Sequence, residues 1–98
     1  MDYTVIWTEH ALDELADAVR YIAADDPQAA ARFRDAVFVT AQGLGPLPYL
    51  GPRYEPSRDR RVREILCSPY RIFYRAIDSR KDVEILSVWH GSRMEPIL

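Results

Sequence analysis

Lysine and cysteine are nearly missing from this sequence, glycine is sparse, and long apolar runs are lacking. Cys67 is the single cysteine, so no intrachain disulfide can form. With two histidines beside it, the chain has too few ligands for a structural zinc site, and no metal or other cofactor is expected. A lone cysteine points to a reducing, cytoplasmic compartment, with Cys67 packed as a small hydrophobe. The four glycines form no phosphate-cradling loop, and G-x-S-x-G, H-E-x-x-H and C-x-x-C are all lacking. No apolar stretch reaches the roughly 18 residues of a membrane span. Met1-Asp2-Tyr3-Thr4 has neither the basic nor the apolar start of a secretory signal.

What is present describes a globular domain. Ninety-eight residues, 48% hydrophobic and 29% charged, are expected to form one domain over residues 1–98. The net charge of −2 hides an asymmetry. Residues 1–49 hold eight acids and three bases; residues 50–98 hold seven acids and ten bases. Twelve of the thirteen bases are Arg, and Lys81 is the exception. Arg suits planar contacts with carboxylate or phosphate, although a coding preference for Arg would leave the same mark.

Tyr3–Trp7 is β-rich and places Tyr3, Val5 and Trp7 on one face. Thr8 is a fitting N-cap for a helix from Glu9 to about Ala24. Leu12, Leu15, Val19 and Ile22 form its apolar face, leaving Asp13, Glu14, Asp17 and Arg20 to solvent. Asp25-Asp26-Pro27 breaks the chain and starts a second helix to about Gln42, with Ala30, Phe33, Val37, Ala41 and Leu44 in its stripe. So short a link makes the two helices an antiparallel hairpin. From Gly45 to about Asp59 four prolines forbid a helix or a central strand. Tyr49, Leu50 and Tyr54 in this loop either fill the body or form a docking surface. Three strands follow: Arg60–Cys67, Tyr70–Ile77 and Val83–Trp89. Short turns make them an antiparallel meander. Strict alternation puts Val83, Ile85 and Trp89 on one face of the last strand and Leu86 and Val88 on the other, as in a central strand covered on both sides. The expected class is α+β in the order β-α-α-β-β-β, with the helical hairpin on one sheet face. The closing Met94–Leu98 segment either docks on the body or reaches a target.

The chemistry on offer lies on the strands. Arg61 and Arg63 alternate with Val62 and Glu64; Arg71, Phe73 and Arg75 share a face; His90 and Arg93 stand at the end of the last strand. Cations among aromatics on a sheet are one recipe for binding RNA. A metal-independent ribonuclease would add proton transfer by Glu64 or His90 and phosphorane stabilisation by Arg63 or Arg71. Against that, Arg and Glu on neighbouring strands ordinarily form cross-strand ion pairs. The partner-binding candidates are Arg61, Arg63, Arg71, Phe73, Arg75, His90 and Arg93.

The order of motifs resembles the RelE/ParE superfamily of type II toxins. The resemblance is carried by Trp7-Thr8-x-x-Ala11-x-x-x-Leu15 with Tyr21-Ile22, and by Pro48-x-x-Gly51. It continues through Val62-Arg63-Glu64-Ile65, Tyr70-Arg71-Ile72-Phe73-Tyr74-Arg75 and Val83–Arg93. It runs from Tyr3 to Arg93. It implies the helical hairpin on an antiparallel sheet and a cognate antitoxin whose flexible segment orders on binding. It implies one of two targets. RelE-like members are ribosome-dependent mRNA endonucleases, with Arg63, Arg71 and His90 at the useful positions here and Glu64 as a further candidate for the catalytic set. ParE-like members inhibit DNA gyrase without being nucleases. The Y-R-I-F-Y-R strand and the H-G-x-R ending resemble the ParE branch. Gly91 after His90, no aromatic after Trp89 and no Lys among the strands depart from nuclease patterns. The net charge also argues against non-specific attraction to nucleic acid, which only the RelE-like reading requires. A homologue that binds antitoxin without toxicity is a third possibility.

Overall fold

The structure, a computed structural model, describes residues 2–98. Strand β1 (Thr4–Trp7) leads into helix α1 (Glu9–Ala23) and helix α2 (Pro27–Gln42). Strands β2 (Val62–Cys67), β3 (Tyr70–Ile77) and β4 (Asp82–His90) follow. The Thr8 hydroxyl accepts from the Ala11 amide and donates to the Ile85 carbonyl at 2.8 Å, so one side chain caps α1 and ties it to β4. Asp26 caps α2 by accepting from the Gln28 and Ala29 amides, with Pro27 in the first turn.

The sheet order is β1-β4-β3-β2. β2, β3 and β4 form the antiparallel meander, and β1 adds to β4 in parallel, Thr4 opposite Asp82 and Trp7 opposite Ile85. β4 is thereby interior, as its two-sided apolar pattern predicts. A bulge interrupts it: Phe73 faces Ser87 but Tyr74 faces Ile85, leaving Leu86 as the extra residue. The bulge overturns the strict alternation expected for β4. Val88 joins Val83 and Ile85 under the helices, and Trp89 joins Leu86 on the opposite, outer face.

The main core lies between helices and sheet. On α1 its buried residues are Ala11, Leu15 and Ala18, whereas Leu12 is 43% exposed. Leu15, Val19 and Ile22 keep the expected side, Ala11 and Ala18 join it, and Leu12 alone turns away. Glu14 leaves the solvent face assigned to it. Its carboxylate accepts from the Ser87 hydroxyl at 2.7 Å and the Val88 amide at 3.0 Å, filling the gap that the bulge opens in the ladder.

A second cluster forms on the outer face from Tyr54, Val62 and Phe73, with Leu86, Trp89 and Leu98 against it. Two segments build it. The proline-rich loop lies along the edge of β2, where Glu64 N–H donates to the Pro52 carbonyl and Tyr54 N–H to the Val62 carbonyl. Gly51 permits this approach, because a Cβ there would sit 2.1 Å from the Glu64 carbonyl oxygen. Residues 94–98 also dock on the body: Tyr54 and Ser57 hydroxyls each donate at 2.7 Å to the Pro96 and Leu98 carbonyls. Tyr54 therefore fills the body, while Tyr49 and Leu50 stay exposed. Among the described residues no helix is long and apolar enough to cross a membrane.

Candidate functional site

The outer sheet face gathers the arginines, and carboxylates meet them there. Arg71 Nε and Nη2 donate to one oxygen of Glu64 at 3.0 and 2.8 Å, and Nη1 donates to Glu95 at 2.7 Å. Its guanidinium lies 4.8 Å from the Phe73 ring centroid and 5.8 Å from that of Tyr54. The hydrogen bond it donates to Glu95, then those to Glu64, raise the Arg71 pKa against the opposing effect of burial, so this charge is permanent. Arg75 donates to Glu84, directly opposite on β4, at 2.7 Å and to Asp59 at 3.0 Å. Arg61 takes the same Asp59 carboxylate bidentately, both bonds at 3.0 Å. Hydrogen bonds from Arg61 and Arg75 hold Asp59 well below the usual carboxylate range.

The remaining candidates lie elsewhere. Arg63 is on the opposite face of β2, bonding the Gly51 carbonyl at 2.8 Å and lying over the Tyr49 ring, so it fastens the loop. His90 stands edge-on to Tyr70, with ring centroids 5.0 Å apart. Its Nδ1 contacts Ser92 Oγ at 2.7 Å and accepts from the Ser92 amide at 3.1 Å. Arg93 stacks over Trp89, 4.1 Å from the ring centroid. His90 and Arg93 both line an open groove of about 540 Å³ between α1 and the end of β4, with Glu14, Asp17, Tyr21 and Tyr70. Phe73 is 0% exposed and belongs to the outer cluster, so no partner reaches it while that cluster is closed. Of the four residues considered for catalysis, only Glu64 and Arg71 meet, as an ion pair. Among the described residues no cluster of three His, Cys, Asp or Glu side chains could hold a metal ion.

Residues 5–95 match the family described as the ParE toxin of the type II toxin–antitoxin system parDE. The chain belongs to this ParE toxin family. A curated relative from Sinorhizobium fredii (strain NBRC 101917 / NGR234), named "Putative toxin Y4kP", is 37% identical over 92 residues, 92% of this chain and 90% of that one. Among solved structures, the chromosomal ParDE system of P. aeruginosa superposes with a TM-score of 0.70 at 23% identity, covering 90% of this chain and 95% of that one. The RelBE2 toxin–antitoxin complex of Mycobacterium tuberculosis gives 0.67 at 27% identity, covering 92% and 99%. The E. coli toxin RelE, as a mutant in the free state, gives 0.63 at 20% identity, covering 94% and 86%. The fold is thus shared by ParE and RelE toxins, as the motif order predicts.

In this ParE family member, the motif strands bring Arg71 and Arg75 to one face, as their alternation predicts, while two of the counter-charges come from outside the strands. Asp59 comes from the loop, two residues before Arg61 but sixteen before Arg75, and Glu95 from the closing segment, 24 residues after Arg71. The pairings that follow the expected meander are Glu64 with Arg71 and Arg75 with Glu84, each on adjacent strands. Tyr21 (79% exposed) and Tyr70 in the groove carry no signal that separates them from core aromatics.

Proposed function

We propose that this ParE family toxin acts by binding DNA gyrase, without catalysis, and that a cognate antitoxin neutralises it. The observation that carries the reading is the dispersal of the proton-transfer and charge-stabilising candidates. Glu64 is neutralised by Arg71, Arg63 serves the loop on the opposite face, and His90 is engaged by Ser92 beyond the end of β4. General acid–base cleavage needs its acid, base and cation around one phosphate. An acidic antitoxin segment complements the Arg-rich half, which would speed association and select the partner.

Growth arrest tests the non-catalytic part. His90→Ala and Glu64→Gln toxins, expressed to parental levels, are expected to arrest growth within a few-fold of the parent dose. Loss by about two or more orders of magnitude in either, with the fold intact, would mark a transition-state role and defeat the reading. Ribosome-dependent mRNA cleavage is the second reading, and one observation favours it. The groove beside His90 and Arg93 joins an imidazole to a cation, with Nδ1 held by Ser92 and Nε2 left for a proton.

A further inference from the structure

Residues 94–98 lie on the outer face in a way that resembles a bound peptide more than a strand of the fold. Main-chain oxygens of Met94, Pro96 and Leu98, alternate residues of a run that belongs to no helix or strand, accept from three side chains of the body. The donors are Trp89 Nε1 at 3.0 Å and the Tyr54 and Ser57 hydroxyls at 2.7 Å each. Reading alternate carbonyls is how an extended segment is gripped independently of its sequence. Side chains then set the preference. Glu95 places its carboxylate on Arg71, Pro96 is buried, and Leu98 packs against the cluster of Tyr54 and Phe73. The remaining two point away: Met94 is 89% exposed and Ile97 102%. Every donor belongs to the body and every acceptor to the segment, so the two halves of the recognition are separable.

We propose that the outer sheet face is a peptide-binding cleft for an extended partner segment of the pattern acid–proline–any–aliphatic, and that residues 95–98 fill it in cis. Arg71 reads the acid as a charge-assisted pair, which confers selectivity beyond the carbonyl contacts. A partner segment of this pattern must displace the resident one, so the intact chain is closed to weak competitors and open to a tethered or tighter one. The inference goes beyond the choice of target, because it needs no toxicity to hold.

The test uses a chain ending at Arg93 and a synthetic peptide of residues 93–98, followed through the indole N–H resonance of Trp89. With the shortened chain folded by circular dichroism, the peptide is expected to shift that resonance saturably toward its position in the intact chain. A peptide carrying Glu95→Gln is expected to bind about tenfold more weakly, the loss of one charge-assisted bond. The intact chain is expected to show no shift at the same concentrations. A folded, shortened chain that shows no saturable shift at millimolar peptide overturns the proposal, as does equal binding of the Glu95→Gln peptide. If the shortened chain does not fold, full-length Leu98→Ala, whose segment is loosened, must take up the peptide, and its failure to do so is equally decisive. Concentration-dependent dimerisation of the intact chain, abolished by the truncation, would assign the cleft to a second copy and also overturn the proposal.

Discussion

Glu14 shows how much one side chain can hold. It is an acid on a helix, yet its carboxylate answers the Ser87 hydroxyl and the Val88 amide at the β4 bulge. Removing it strands a buried hydroxyl and an amide. Glu14→Ala is therefore expected to cost about 1–3 kcal/mol in urea denaturation, whereas Glu14→Gln, which keeps an acceptor oxygen, is expected to cost less. Equal losses would mean that packing, not the acceptor, matters. Asp59 makes the pH prediction. Its pKa is lowered on folding by Arg61 and Arg75, so its stabilising contribution is present above the unfolded carboxylate value near 4 and is lost as pH falls toward the folded value. Asp59→Asn is expected to cost about 1 kcal/mol at pH 7, a modest figure because Arg61 is half exposed, and progressively less below pH 4. A cost that stays constant down to pH 2.5 would contradict this. At this scale the sequence was legible for which residues are charged and for their pairing across adjacent strands, and silent on the carboxylates that the loop and the closing segment bring in.

At the scale of elements, the helical hairpin and the meander follow from period and punctuation: Thr8 and Asp26 cap as expected, and short turns join the strands. What escaped was offset. On α1, Ala11 and Ala18 join Leu15, Val19 and Ile22 on the core side while Leu12 turns away, since periodicity weighs large apolar residues and overlooks small ones. The bulge escaped because Leu86-Ser87-Val88-Trp89 suits either register, and the carboxylate that answers it, Glu14, comes from a distant helix. The parallel pairing of β1 with β4 also lies beyond local pattern. The proline-rich loop is the element most exposed to a single change. Gly51→Ala would force a Cβ against the Glu64 carbonyl and disturb the bond from the Gly51 amide to the Tyr74 hydroxyl. It is expected to cost about 1–3 kcal/mol or more and to increase proteolysis between Gly45 and Asp59. Unchanged stability and protease resistance would mean that the loop is held elsewhere.

Over the whole molecule, the charge asymmetry of the sequence does not become an open cationic sheet. Arg61, Arg71 and Arg75 are neutralised in place, and the outer face is closed by the loop and by residues 94–98. The legible part of the candidate site was its arginines; the closure was hidden because it depends on where two irregular segments settle. This closure supports the proposed reading, in which the toxin acts through surfaces presented to proteins rather than through a phosphate-stabilising centre. Supercoiling by purified DNA gyrase, titrated with this chain without and with its antitoxin, tests it most directly. Inhibition or trapped DNA cleavage that antitoxin relieves is the expected result, with His90→Ala toxin inhibiting like the parent. Undiminished supercoiling at a large molar excess of folded toxin, with mRNA cleaved on translating ribosomes, would contradict it.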